Sequence, residues 1–114
     1  MIIRPPRGNS LLILAFPLIL LSSCSSAPEN YVPKTDTVMI FKMKFQSAEL
    51  TVHKGDTVVW INKDMVAHDV TQVPNGTWSS KNLAPGKSWK MSVGESDDYF
   101  CSIHVVMVGK LIVQ

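Results

Sequence analysis

The sequence predicts an all-β domain, an antiparallel sandwich or barrel built from short strands. Apolar and polar residues alternate with period two in several short segments. Turn signals rich in Gly, Pro and Asn separate these segments. Beyond residue 36, no stretch of about ten residues has the spacing of an amphipathic helix. A chain of 114 residues has room for one such domain.

The first residues have the layout of a secretory signal. Arg4 and Arg7 precede an apolar run of 11 residues, 11–21, which is shorter than the roughly 20 residues that cross a bilayer. The run ends at Leu21-Ser22-Ser23-Cys24, which resembles a bacterial lipobox. By that resemblance Cys24 becomes the lipid-modified first residue of the mature protein. An ordinary signal peptide cleaved nearby is the alternative.

The chain therefore divides into three parts. Residues 1–23 are the lipoprotein signal peptide, residues 24–36 a polar linker that carries the lipid anchor, and residues 37–114 the folded domain. We expect an exported protein, anchored to a bacterial membrane and facing the periplasm or the cell exterior.

The charge of the mature part is balanced. The whole chain has 11 basic and 9 acidic residues, and the signal peptide contains two arginines and no acid. Nine lysines then oppose nine acidic residues. Nucleic acid is excluded as a partner class, because its binding calls for a basic stripe.

The first predicted strand lies at residues 39–45. Met39, Phe41, Met43 and Phe45 alternate with partly charged neighbours, so one face of this strand is apolar. A bend near Gln46-Ser47 follows.

The remaining strands follow in order. Leu50 and Val52 continue the alternation, and the turn Lys54-Gly55-Asp56 ends it. Thr57–Asn62 is apolar on both faces, which suits a central buried strand. The later strands are predicted at His68–Val73, Trp89–Val93, Tyr99–Cys101 and Val108–Val113, with turns at Pro74-Asn75-Gly76 and Ala84-Pro85-Gly86 between them.

A cluster near the end of the chain carries the chemistry. Cys101, His104 and Met107 place a thiolate, an imidazole and a thioether within seven residues. With Cys24 lipidated, Cys101 has no disulfide partner, and an unpaired exported Cys is a reactive thiol or a metal ligand. Two His, one Cys and a weak axial Met are the ligands of a blue-copper centre, and His68 supplies the second imidazole. Taken singly, each residue is compatible with ordinary core packing.

The sequence resembles the cupredoxins over nearly all of residues 37–114. Four segments carry the resemblance: Gly55-Asp56-Thr57-Val58-Val59-Trp60-Ile61-Asn62, Ala67-His68-Asp69-Val70, Leu83-Ala84-Pro85-Gly86-Lys87-Ser88-Trp89, and Tyr99–His104 with Met107 and Gly109–Val113. The resemblance implies a Greek-key sandwich of about seven or eight strands. It also implies one type 1 copper per chain, held by His68, Cys101, His104 and Met107. Two residues between Cys and His and two between His and Met is the spacing of the amicyanin-like members.

Departures from the amicyanin pattern concern the two ligand loops. Ile103 and Val105 stand where amicyanins usually carry Pro, which predicts a more mobile loop. Asp69 stands where many relatives have Asn, and we expect it to accept a hydrogen bond from Ser102 and to add negative charge near copper.

By the same resemblance, His104 is the ligand exposed at an apolar patch through which electrons pass. We expect this patch to comprise Met65, Val66, His104, Val105 and Val106, and to bind redox partners transiently. The alternative is that the two valines pack inward.

The remaining candidates are assigned to packing. His53 precedes a turn away from the cluster and is expected at the surface. Trp60, Trp78 and Trp89 are expected to pack rather than to contact a cofactor.

The sequence therefore indicates an electron-transfer protein that cycles Cu(II) and Cu(I) outside the cytoplasm and is not an enzyme. We expect a monomer with donor and acceptor proteins as partners. A periplasmic copper carrier or storage protein using the same ligands is the alternative. A metal-free structural sandwich leaves the cluster unexplained.

Overall fold

The computed structural model describes residues 2–4, 8–9, 11–19 and 30–114. Cys24 and the predicted cleavage site lie outside these ranges, so the lipoprotein signal stays a prediction. None of the described segments forms a helix able to span a bilayer. The described residues form eight strands: β1 (Thr35–Phe41), β2 (Lys44–Gln46), β3 (Glu49–Val52), β4 (Thr57–Asn62), β5 (Thr71–Val73), β6 (Ser88–Ser92), β7 (Asp97–Phe100) and β8 (Val108–Val113).

The strands form a sandwich of two four-stranded sheets. One sheet has the order β2-β1-β4-β6 and the other the order β3-β8-β7-β5. This confirms the predicted all-β sandwich of about eight strands. The expectation of a purely antiparallel arrangement is wrong for two pairs, because β1–β4 and β3–β8 are parallel. Parallel neighbours need a crossover connection. The chain provides it because it passes to the other sheet between the two paired strands and re-enters the first sheet at the same end.

Strand β4 is the centre of its sheet, as predicted. It pairs with β1 on one side and β6 on the other. Its residues alternate between buried and half-buried, so its inner face lies in the core and its outer face is largely covered.

Strand β1 presents the opposite face from the one the sequence indicated. Val38 and Ile40 are buried, whereas Met39 and Phe41 are exposed by 40% and 38%. The predicted continuous strand 39–45 instead ends at Phe41 and reverses direction before β2. Because Ile40 pairs with Phe45 across this hairpin, both side chains point into the core. The alternation therefore changes phase at the turn.

Aromatic rings join the two sheets. Trp60 on β4 packs edge-on against Tyr99 on β7, with ring centroids 5.5 Å apart, and Phe45 packs edge-on against the same tyrosine at 4.8 Å. Trp78 and Trp89 are partly buried against this core. The three tryptophans thus have the packing role expected of them.

The two ends of the sandwich carry different loops. At one end lie the β1–β2 turn, the loop between β4 and β5, and the loop between β7 and β8. At the other end the chain enters β1, which begins at Thr35 and so includes two residues assigned to the linker. There the buried carboxylate of Asp56 accepts hydrogen bonds from the Tyr31 hydroxyl at 2.6 Å and the Lys34 N–H at 3.0 Å. Tyr31 also stacks on His53, with ring centroids 4.4 Å apart.

Candidate metal centre

His68 is held in the loop that follows β4. Its backbone N–H donates to the Leu83 carbonyl at 3.1 Å, and its carbonyl accepts the Leu83 N–H at 2.8 Å. The side chain is fully buried. A two-bond bridge to another loop thus fixes the main chain at this residue and limits where the imidazole can point.

Cys101 directly follows β7 and is a free, buried thiol. Its sulfur accepts two backbone hydrogen bonds, from the N–H of Asp69 and the N–H of His104, each at 3.4 Å. Amide donors favour the charged form of the group they contact. The thiolate that a soft metal requires therefore has donors already in place.

The two imidazoles converge on this sulfur. The Nδ1 atom of His68 lies 3.8 Å from Cys101 Sγ and 3.2 Å from Nδ1 of His104. One ligand atom from each of the three residues falls within 4.8 Å of the others. A trigonal set of two imidazole nitrogens and one thiolate sulfur is the donor chemistry of a type 1 copper site, and the residues present fit this metal.

Met107 closes the loop that carries Cys101 and His104. Its N–H donates to the His104 carbonyl at 3.0 Å, and its own carbonyl accepts the Cys101 N–H at 3.0 Å. The side chain is buried, with 2% exposure. The short loop therefore returns the main chain of Met107 beside Cys101.

Asp69 ties the two ligand loops together, as predicted. Ser102 donates its N–H to Asp69 Oδ1 at 2.7 Å and its hydroxyl to the other carboxylate oxygen. Thr71 adds a third donor at 3.1 Å. The carboxylate side chain is almost fully buried, so its position next to the cluster is fixed.

Sequence reasoning missed Asp64, which lies four residues before His68. Its Oδ2 is 2.8 Å from His68 Nε2, the ring nitrogen that faces away from the cluster. Burial raises the pKa of this carboxyl, but hydrogen bonds from Met43 N–H, His68 and Lys42 N–H outweigh burial and hold the pKa below its ordinary value. The only signal in the sequence is an acidic residue four positions before a candidate histidine ligand. This spacing is too common to identify the contact.

Asn62 was also missed, because it was placed only as the last residue of a strand. Its buried side chain donates to the Val66 carbonyl at 2.8 Å and to the Leu83 carbonyl at 2.9 Å, and accepts the Asp64 N–H at 2.9 Å. One amide thus fixes two points of the loop that carries His68 and links this loop to Leu83.

The residues expected to form the apolar patch are exposed around the cluster. Met65 is 93% exposed and Val106 is 83% exposed, and Val66 and Val105 are exposed as well. The alternative that the two valines pack inward is wrong. Ile103, which was not included in the patch, is also exposed, while the His104 side chain is only partly covered. His53 lies away from this surface, against Tyr31, and is half-buried rather than exposed.

Known proteins are similar to this chain in sequence and in fold. The sequence model described as "Copper binding proteins, plastocyanin/azurin family" matches residues 34–114. The amicyanins of Paracoccus versutus and Paracoccus denitrificans are 32% and 34% identical over 83 residues, covering 68% of this chain. The matched part spans 63% of the length of each of these two relatives.

Solved structures give the same result for the fold. The crystal structure of amicyanin from Paracoccus versutus superposes with a TM-score of 0.64 at 31% identity, covering 70% of this chain and 81% of that one. A Cu(I) form of an amicyanin variant gives a TM-score of 0.64 at 32% identity, covering 70% of this chain and 82% of that one.

Proposed function

Because this chain belongs to the plastocyanin/azurin family of copper-binding proteins, we propose that it is a type 1 copper electron-transfer protein that works outside the cytoplasm. The observation that carries the proposal is the convergence of His68, Cys101 and His104, whose ligand atoms lie within 4.8 Å of one another. If bound there, copper would supply the one-electron couple Cu(II)/Cu(I), and Met107 would be its proposed fourth, weak ligand.

The protein contributes a ligand set that is fixed before any electron moves. The His68–Leu83 bridge, the two N–H donors on Cys101 Sγ and the Met107–Cys101 closure hold three ligands from the backbone. Ligands fixed in this way change position little between oxidation states, so the cost of rearrangement at each transfer stays small.

The surroundings of the cluster favour a carrier over an enzyme. The two carboxylates nearest to it are already engaged, Asp64 by His68 and the β1–β2 turn, and Asp69 by Ser102 and Thr71. Both carboxylates thus serve to hold the two ligand loops in place.

Electrons are proposed to enter and leave at His104. Its ring is part-covered, and the exposed side chains of Met65, Val66, Val105 and Val106 lie on the two loops that also carry His68 and His104. A small apolar surface without a fixed charge suits a transient contact that forms and separates quickly. Donor and acceptor redox proteins are its proposed occupants.

The proposed location rests on the sequence alone. The lipobox-like Leu21-Ser22-Ser23-Cys24 supports export and lipid attachment. Intact-mass measurement of the membrane fraction tests this point, with Cys24→Ala as the control. Wild-type protein is expected to carry added acyl mass, and an unmodified protein in both samples would remove the anchor from the proposal.

The function is tested by titrating Cu(II) into residues 25–114 and recording optical and EPR spectra, with Cys101→Ala as the control. An intense blue colour with narrow copper hyperfine splitting at one equivalent, absent from the control, is expected. Cyclic voltammetry then tests reversible redox with retained copper. Ready loss of copper to a chelator, without reversible redox, would favour the copper-carrier alternative.

A further inference from the structure

The ring of His68 is held from both sides. Its Nδ1 points to the ligand cluster, 3.8 Å from Cys101 Sγ, and its Nε2 lies 2.8 Å from Asp64 Oδ2. The imidazole is fully buried and the Asp64 side chain is 12% exposed. A carboxylate only accepts hydrogen bonds, so this contact places the ring proton on Nε2 and leaves the Nδ1 lone pair free for a metal.

Asp64 is itself held at three points. Its Oδ1 accepts the Lys42 N–H at 2.7 Å, its Oδ2 accepts the Met43 N–H at 3.0 Å, and its own N–H donates to Asn62 Oδ1 at 2.9 Å. The carboxylate therefore has little freedom to leave His68.

The donors on Asp64 come from an unusual turn. Lys42 and Met43 connect β1 to β2 with φ angles of 52° and 59°. Two-residue hairpin turns of this kind strongly prefer Asn and Gly, because side chains are strained in the left-handed region. Here the turn contains neither, and the two N–H groups that it exposes are both bound by Asp64. The same side chain thus holds the turn and the imidazole.

We propose that Asp64 is the positioning residue of the copper ligand His68, and that it ties this ligand to the β1–β2 turn and stabilises Cu(II) relative to Cu(I). A carboxylate behind a metal-bound imidazole fixes the tautomer and the ring orientation and increases the basicity of the ligand. A more basic nitrogen ligand and a nearby negative charge both favour the higher oxidation state. The inference rests on the proposed copper function and adds a residue that controls the potential.

The test compares reduction potentials of copper-loaded proteins by voltammetry. Asp64→Asn removes the charge and offers one acceptor oxygen where two N–H groups and a ring N–H compete for it. We expect a shift of about tenfold in the Cu(I)/Cu(II) equilibrium toward Cu(I), which is about 59 mV for a one-electron couple. Asp98→Asn is the control, since it removes the same charge from an exposed side chain on β7, and its potential is expected to stay near the wild-type value.

A second background separates the two tasks of Asp64. With Lys42→Gly and Met43→Gly, the turn keeps its backbone angles without the strain of a side chain. Asp64→Asn in this background tests His68 while the turn remains formed. We expect the same potential shift as in the single variant. A purely structural Asp64 would lower the stability of the single variant and leave the potential unchanged in both backgrounds, which would overturn the proposal.

A spectroscopic readout does not depend on the variant folding. In the diamagnetic Cu(I) form, imidazole ¹H–¹⁵N spectra of the wild-type protein are expected to show a slowly exchanging Nε2–H of His68. Absence of this signal would contradict the hydrogen bond. A wild-type protein without a type 1 spectrum would instead refute the copper function, so the two failures are distinguishable.

Discussion

The ring of Tyr99 occupies the space that any side chain at Gly109 would need. The two residues are cross-strand partners in the β7–β8 pair, and a methyl group on Gly109 would overlap the Cζ, Cε2 and hydroxyl atoms of the ring. Tyr99 in turn packs against Trp60 and Phe45 of the other sheet. The absence of a side chain at one position thus allows the aromatic contact that joins the two sheets.

Gly109→Ala is therefore expected to destabilise the domain. The added methyl forces Tyr99 out of its place between the sheets, and overpacking of this kind costs about 1–3 kcal/mol. Urea unfolding of the metal-free protein measures the loss. Gly94→Ala is the matched control, because a Cβ at Gly94 meets nothing within 4 Å. Equal stability of the two variants would contradict the close packing of Tyr99 on Gly109.

Acid stability should depend on Asp56. Burial raises the pKa of Asp56, but hydrogen bonds from the Tyr31 hydroxyl and from the N–H groups of Lys34 and His53 outweigh burial and lower the pKa from 3.8 to about 2. Because the folded pKa lies below the unfolded one, the ionised form favours the folded state. This contribution is fully present above pH ~4 and is lost as the pH falls toward 2.

The corresponding measurement is the urea midpoint of the metal-free protein between pH 5 and pH 2. Asp56→Asn is expected to be less stable at pH 5 and to lose less stability on acidification than the wild type. Tyr31→Phe keeps the carboxylate but removes one donor, so its pH dependence should be intermediate. A wild-type pH dependence in Asp56→Asn would show that other groups control the acid transition.

Charge in the apolar patch should slow electron exchange. Val106→Asp introduces a carboxylate at an exposed position beside His104, and two such patches repel when they meet. Like charges facing each other cost several kcal/mol in an interface, so the self-exchange rate should fall by about tenfold or more. The rate is measured from NMR line broadening in mixed Cu(I) and Cu(II) samples.

Val32→Asp is the matched control for that variant. Val32 is 79% exposed and lies next to Tyr31, at the end of the sandwich where the chain enters β1. The self-exchange rate of Val32→Asp should equal that of the wild type. The copper spectra of Val32→Asp and Val106→Asp should also equal the wild-type spectrum. An unchanged rate in Val106→Asp would exclude the patch as the contact surface.

Replacing Asp69 should raise the reduction potential. The Asp69 side chain is almost fully buried and holds Ser102, whose neighbour Cys101 is a proposed ligand. Asp69→Asn keeps the side-chain shape and removes a negative charge that favours Cu(II). We expect a rise of tens of millivolts, where ~59 mV corresponds to a tenfold change in the one-electron equilibrium.

Ser102→Ala distinguishes charge from hydrogen bonding at the same contact. It removes the hydroxyl donor and leaves the carboxylate and the Ser102 N–H in place. A potential that rises in Ser102→Ala but not in Asp69→Asn would contradict the effect of charge. Voltammetry of both proteins under one buffer condition makes the comparison.

Features that depend on residues close together in the sequence were predictable. Thr57–Asn62 forms the central strand with the predicted bounds, because its run of β-branched and aromatic residues needs no information from elsewhere in the chain. The cluster of Cys101, His104 and Met107 was visible because the three donors lie within one short loop.

Features set by distant pairing were not predictable in the same way. The parallel β1–β4 pair joins strands that are separated by a crossing to the other sheet, and nothing in either strand specifies this neighbour. The turn at Lys42 and Met43 lacks Gly and Asn, so the sequence contains no turn signal at this position. The chain reversal, and with it the exposure of Met39 and Phe41, could not be predicted from local residues. Asp64 stabilises that turn from another loop, and its contact with His68 was hidden for the same reason.

The parallel pairing of β1 with β4 sets the distance between the chain's entry into the domain and the ligand loops. Because Thr35 aligns with Thr57, the chain enters the domain at the Asp56 end, and a strand of six residues, about 20 Å long, separates this entry point from the ligand loops. With a lipid on Cys24, residues 24–30 would span at most ~25 Å before Tyr31, which packs on the domain. The lipid attachment and the apolar patch would then lie toward opposite ends of the sandwich, so the anchor and a partner protein would not compete for the same surface.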